Sequence, residues 1–590
     1  MTKNTFGWAG PISAASAAAI IALTSTSALA GADYLRIDPT NQLEVAWAWR
    51  ALLKKAEVTN PEWTGSIAGC NAGSVPYWVG MKTTQAVNWY RAMAGVSAED
   101  TFDPAANAAM QAAALAVVAS GGVKYSGGLS NNPAAYTGCM TGPMATGGIQ
   151  LSIKGYAAGV ATNLTALNDS FIQFGTSTAN SQLYNRQQLL RIDNTARGVG
   201  QIADGAGSTV TLYNNATVTG ARYYGYVAGD RTWPRSGYFP AVGGIAPARW
   251  HLVNENGSTA TVSATVNGVA VTAQRGDFIG GSGVYYTTGT IAAGSATASQ
   301  GGSLPDVSGN NTMRVIADFT NVRPYNGAGR NRTVDVTFFD PTSLDSNIVE
   351  SGWYWDPADG GNGVAIEQQG SKLFLAAYTY REDGSPVWYV GNCDVAIGVQ
   401  SCSGQFQLFQ GGKTIVGAGG QAAQVGTVGA FSLSWSSRSA VTMQYPGGTL
   451  ALERYKPAGP ATTDAGSVPQ TGWFWDRSSG GEGWFVEVSG GWAYVANYSY
   501  NAAGQPVWYV AEGSMSSDRL RLENANLLAC SGGRSINQPP GARGITCTAV
   551  GTLTLAFSGT DRANVQVAVG GAARSQTIDR FWFNAGSLAP

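Results

Sequence analysis

SGWYWDPADGGNGVAIEQQG (residues 351–370) returns about 120 residues later as TGWFWDRSSGGEGWFVEVSG (residues 471–490). Each copy is followed by a second shared block, AAYTYREDGSPVWYV (376–390) and ANYSYNAAGQPVWYV (496–510). The blocks align without a gap: Trp353 with Trp473, Trp355 with Trp475, Asp356 with Asp476, Glu367 with Glu487, Trp388 with Trp508. Both copies close on a similar strand, Thr449–Tyr455 and Gln576–Trp582. Two modules of one fold therefore occupy residues 344–460 and 461–590. Seven or eight short strands with Gly-rich turns in each predict a small all-β barrel or compact sandwich.

The aromatic residues alternate along these strands, so one face must point inward and pack a core. Period two puts Trp353 and Trp355 on one face, opposite Tyr354. An outward face could stack on sugar rings or on another planar or apolar ligand. Trp353, Trp355, Trp473, Trp475 and Trp484 are the candidates for that role. The copies diverge at Val364 against Trp484 and at Leu373 against Ala493. Trp484 is accordingly expected to face out and tune a ligand surface, with two similar sites in the two modules.

Two carboxylates recur with the tryptophans, Asp356 with Glu367 and Asp476 with Glu487. Such pairs could serve glycoside hydrolysis. They also have structural uses: an Asp before a turn binds backbone amides, and a strand Glu can close a sheet edge or pair with Arg454.

Bulk composition narrows the field. Charged residues make up 12 % of the 590, with a formal net charge of −1. Lysine and arginine are scattered, so there is no electrostatic footprint for nucleic acid or an anionic membrane. Lys3, the apolar run Ala14–Leu23 and the small residues Ala28-Leu29-Ala30 read as an export signal cleaved near Ala30. The expected location is secreted, periplasmic or extracellular. No later stretch is long and apolar enough to span a bilayer as a helix. Six cysteines suit an oxidising compartment and fall into three local pairs, Cys70–Cys139, Cys393–Cys402 and Cys530–Cys547. The chain holds one histidine, His251, which leaves no basis for a zinc site or a cofactor. No nucleophile elbow, Walker loop or dinucleotide fingerprint is present.

Helical signals concentrate before residue 200. Asn41 caps a helix expected to reach Lys55, with Glu44 at the capping-box position. Further helices are expected over Thr84–Ala94, from Asp103-Pro104 to Ser120, and within Gln150–Phe174. From about Tyr213 the period changes to two. Thr261–Val266, Met313–Phe319 and Thr333–Phe339 read as half-buried strands, with Asn267-Gly268 as a hairpin turn. Residues 223–343 form a β-sandwich extension on this reading.

Asn88-Trp-Tyr-Arg-Ala-Met-Ala-Gly95, followed by the Asp103-Pro104 helix with Asn107, Ala108, Ala109 and Gln111, resembles the opening of a bacterial CAP domain, the superfamily of cysteine-rich secretory proteins, antigen 5 and pathogenesis-related-1. Trp233–Pro240, Pro247–Trp250 and Val336–Pro341 are similar to the β extension of some bacterial members. The resemblance implies an α-β-α sandwich over residues 31–222. Many CAP domains hold two His and two Glu in a cleft. Approximate alignment puts Tyr125, Ile149 and Asn185 at three of those four places, so no metal is expected there. The C-terminal copies resemble an uncharacterised G-x-W-W-N-P/G-x-G module of secreted bacterial proteins.

The expected whole is a multidomain α+β chain. It would be an exported non-catalytic binding or cell-surface protein, with a CAP-like domain lacking the tetrad and two aromatic-rich repeats. Its ligand would come from glycans, cell-wall components or lipids. The alternative is a secreted hydrolase of cell-wall or extracellular polysaccharide using the paired carboxylates.

Overall fold

The computed structural model describes residues 35–583, apart from 121–138, 140–150, 172–189, 191–195, 214–231, 456–470 and shorter breaks. The export signal and Tyr125, Ile149 and Asn185 lie outside the described residues. The chain is mostly β, with two closed eight-stranded barrels as its largest units.

The Asn41 side chain accepts the Glu44 N–H at 3.1 Å and opens a helix over Gln42–Ala48. That helix runs on as a π turn, Trp49–Leu53, and a 3₁₀ turn, Lys54–Ala56. The next helix spans Tyr77–Met93, starting well before Thr84. Nearly every residue of it is buried, Lys82 and Arg91 included. A helix with no solvent face shows little apolar periodicity, which hides its first two turns.

The Asn107–Ala119 helix is present, but Gln150–Phe174 divides into a strand, Leu151–Ala158, and a helix, Asn163–Phe171. The strand joins Gly207–Tyr213 and Val199–Asp204 in an antiparallel sheet. The Asn107–Ala119 helix lies close on this sheet. Gln111 accepts the Gln201 N–H at 3.0 Å and donates to the Gln201 carbonyl at 2.9 Å.

Residues 232–339 build two larger sheets and a two-stranded one, Gly289–Ile291 with Ala296–Ala298. Thr261–Val266, Thr312–Pro324 and Arg330–Phe339 pair antiparallel, and Gly237–Pro240 joins Arg330–Phe339 in parallel. Arg249–Leu252, which carries His251, belongs to the second sheet, with Ser282–Thr287 and Thr232–Trp233. Asn267 and Gly268 turn the hairpin at φ 49° and 81°, the left-handed pair that a tight two-residue connection requires. Val315, Val336, Phe338, Trp233 and Trp250 share one apolar cluster.

The first barrel runs Gly352–Trp355, Gly363–Gln369, Lys372–Tyr380, Pro386–Asp394, Ser401–Gln410, Ala423–Ser437, Ala440–Tyr445 and Gly448–Arg454, closed by Tyr354 opposite Arg454. The second repeats it from Gly472–Trp475 to Ala572–Arg580, closed by Phe474 opposite Arg580. Barrel closure removes both sheet edges. Tyr354, Val364, Ile366, Leu375, Leu433 and Met443 fill the first lumen; Phe474, Trp484, Val486, Leu553 and Ile578 fill the second. Much of the outward alternation is polar and exposed, as at Ser401, Ser403, Ser434 and Gln444. This apolar-in, polar-out order is the reverse of a barrel embedded in lipid. No described helix is long and apolar enough to cross a membrane.

The barrels plug one another. The 411–422 loop leaves the first barrel and sets Ile415 among the core residues of the second. The 532–545 loop leaves the second barrel and sets Ile536 in the first. The two crossings use matching bonds: Tyr500 N to Lys413 O at 3.0 Å against Tyr380 N to Arg534 O at 3.2 Å, and Gly411 N to Gly504 O against Gly532 N to Gly384 O, both 2.8 Å. Glycine is needed at the tightest points. A Cβ on Gly412 would lie 2.1 Å from the Tyr500 ring, and one on Gly533 2.0 Å from the Tyr380 ring.

All three disulfides form, Cys70–Cys139, Cys393–Cys402 and Cys530–Cys547. The two barrel bridges are not equivalent. Cys393–Cys402 ties Pro386–Asp394 to Ser401–Gln410, whereas Cys530–Cys547 ties the following strand pair, Arg521–Ser531 to Thr546–Phe557. Their sequence separations are 69, 9 and 17 residues in chain order. On the chain-entropy account the first bridge contributes ~4 kcal/mol and the second the least. Replacing each pair by serines and measuring urea denaturation should return that order. A larger loss for Cys393/Cys402 than for Cys70/Cys139 would refute it.

Candidate functional site: the barrel seam and a polar groove

The tryptophans singled out in the sequence meet between the barrels rather than at an open surface. Trp353 and Trp473 are each 4 % exposed, Trp475 is 8 % and Trp355 is half-buried. Trp353 packs on Tyr378 at 4.4 Å and, across the seam, on Phe485 at 5.5 Å. Trp473 packs on Phe485 at 4.8 Å and, across the seam, on Phe374 at 5.0 Å. Trp355 and Trp475 rest edge-on against Tyr455 and Phe581. The shared Pro-Val-Trp-Tyr blocks stitch the same seam. Trp388 Nε1 donates to Ser499 O and Trp508 Nε1 to Thr379 O, each at 3.1 Å. An open stacking platform on Trp353, Trp473 and Trp475 is thereby corrected. Their outer faces are covered by the other barrel, because both faces of these strands are buried.

Trp484 is corrected more sharply. It is 0 % exposed and lies in the second lumen with Phe474 and Val486. Period two along Gly483–Ser489 gives one face to the lumen and the other, with Phe485 and Glu487, to the seam.

The strand glutamates cross the seam as well. Glu367 of the first barrel pairs with Arg580 of the second, accepts its Nη1 at 3.1 Å, and accepts the Trp473 N–H at 2.9 Å. Glu487 of the second barrel pairs with Arg454 of the first and accepts the Trp353 N–H at 2.7 Å. Burial pushes both carboxyls above the ordinary glutamate value, and the paired guanidinium opposes the rise in each. Asp356 spends its carboxylate on the backbone N–H groups of Ala358 and Ala451, both at 2.9 Å. Asp476 faces Arg574 at 3.9 Å. The recurring carboxylates thus bind backbone and arginine.

The seam leaves little free volume. The cavity beside Trp473, Trp475 and Tyr498, and the one beside Tyr378, Tyr445 and Arg534, are each about 20 Å³, enough for about one water. The outer wall of the first barrel differs. Ser401, Ser403, Ser432, Ser434, Asn392 and Gln444 line a groove of about 760 Å³, with Phe374 and Phe583 at its apolar side. Ser432 Oγ donates to Gln444 Oε1 at 3.2 Å. Lys372 and Asp394, at one end, pair at 2.6 Å.

The outer wall of the second barrel also carries a polar groove, smaller at about 300 Å³ and lined by Asn524, Thr552, Thr554, Gln566 and Ser575, but the strands matching Lys372 and Asn392 differ. Trp492 stands where the first barrel has Lys372, and its indole N–H donates at 3.2 Å to Glu512, the counterpart of Asn392. The groove residues lie outside the duplicated blocks, which is why the repeat comparison passes over them. Their signal is the serine alternation of Ser401-Cys-Ser403 and Ser432-Leu-Ser434-Trp-Ser436. Among the described residues no group of three His, Cys, Asp or Glu side chains could hold a metal ion. No known protein family, curated protein or solved structure matches the chain.

Proposed function

We propose that the chain is an exported, non-catalytic binding protein whose ligand lies in the groove on the outer wall of the first barrel. A degenerate CAP-like domain and its β extension precede this unit, on the sequence resemblance. The groove carries the reading. At about 760 Å³ it falls in the range of ligand sites, ~300–1,000 Å³, while the seam cavities do not. Three disulfides agree with an oxidising compartment outside the cytoplasm. The carboxylate pairs lend the hydrolase alternative no support, since Glu367 and Glu487 are bound to arginines and Asp356 to backbone amides.

Ser403→Trp would fill the groove from an exposed strand position. The full chain should be screened against glycans, peptidoglycan fragments and phospholipid vesicles, with and without this substitution. A ligand lost on substitution supports the reading. Ligands that bind the substituted chain equally well place the site elsewhere and refute it.

A further inference from the structure

We infer that the groove takes an uncharged oligosaccharide; this rests on the groove being the binding site. Four serine hydroxyls and the carboxamides of Asn392 and Gln444 are the uncharged polar groups of the described lining. Hydroxyls and carboxamides both donate and accept, as sugar hydroxyls do, so a ring can be held in either sense of each hydrogen bond. Ser432 donates to the Gln444 oxygen, and the Gln444 amide nitrogen can donate to a ligand.

Charge argues against the alternatives. Lys372 and Asp394 are the only described ionic groups of the lining and neutralise one another at 2.6 Å. An anionic or cationic ligand would find no net counter-charge. A lipid chain would have to desolvate the serines without replacing their bonds with water, which is unfavourable. A peptide strand has no edge to add to, because the barrel is closed. Phe374 and Phe583 back the groove but are buried, at 0 % and 9 % exposed, so recognition rests on the polar groups.

The test is calorimetric titration of the full chain. Maltohexaose, cellohexaose, xylohexaose and chitohexaose are the neutral probes; hexagalacturonate and a Gly-Ser peptide are the comparators. At least one neutral probe should bind. Ser403→Trp and Ser432→Trp should each weaken it by about tenfold or more, equivalent to ~1.4 kcal/mol. Thr548→Trp, on the exposed wall of the second barrel, should leave binding unchanged. Near-UV circular dichroism confirms that each variant is folded, and Ser434→Trp replaces any that is not.

Absence of binding by all four neutral probes at millimolar concentration overturns the inference. If hexagalacturonate or the peptide binds instead and is lost in Ser403→Trp, the ligand class is wrong and the groove reading survives. If a neutral probe binds undiminished to the Ser403 and Ser432 variants, the groove reading itself fails.

Discussion

Arg580→Ala is expected to destabilise the double barrel by ~3–5 kcal/mol, because it leaves the Glu367 carboxylate buried without its partner. Glu367 is 1 % exposed and Arg580 5 %, so water cannot replace the lost contact. Glu367 also holds the Trp473 N–H, in the first strand of the opposite barrel. Loss of the guanidinium therefore disturbs the start of one barrel and the seam of both. Arg454→Ala should act alike through Glu487 and Trp353. The double substitution Glu367→Gln/Arg580→Met removes both charges and should cost less than Arg580→Ala alone. Urea denaturation of the full chain measures all three. A double variant less stable than the single one would show that the pair itself, rather than the stranded charge, sets the stability.

Trp484→Ala is expected to cost ~3–5 kcal/mol, the range for truncating a large side chain in a packed core. The indole is fully enclosed in the second lumen, where the first barrel manages with Val364 at the aligned position. Trp508→Ala should cost a comparable amount from the other face of the wall, since its ring is 5 % exposed and its N–H reaches Thr379 O. Trp355→Ala, at a half-buried position, should cost clearly less. Thermal and urea unfolding of the three variants ranks them. A Trp484 variant within ~0.5 kcal/mol of the parent, as surface changes usually are, would remove that ring from the core.

The duplicated blocks made the modules, their first strands and their period of two legible without a structure. They could not show what lies on each face of a strand. Trp484 and Phe485 are both buried, one in a lumen and one in the seam, so the strand has no water-facing side from which to read direction. Reading Trp484 as outward assumed a solvent face that does not exist. Arg454 was recognisable as a glutamate's partner, but pairing within one copy suggests Glu367, whereas the bond crosses to Glu487. Only the joint placement of two barrels decides between them. The disulfides were legible because each joins neighbours in sequence. The groove was written in alternating serines, which look like any solvated wall until the surface around them is known.

The exchange of plugs also says how such a molecule could arise. Several contacts across the seam have a counterpart with the roles of the copies reversed: Glu367–Arg580 with Glu487–Arg454, Trp388–Ser499 with Trp508–Thr379, Ile415 with Ile536; the buried Arg534–Asp359 pair is an exception, since Ser479 stands where the second copy would need the aspartate. That reversal is the mark of a two-fold axis, and isologous two-fold pairing is how identical subunits most often associate. The tandem pair has the geometry of a homodimer joined into one polypeptide. Joining frees the halves from identity, so one wall carries Lys372 and Asn392 where the other carries Trp492 and Glu512. Symmetry preserves the partnership, and covalent linkage lets the two halves differ.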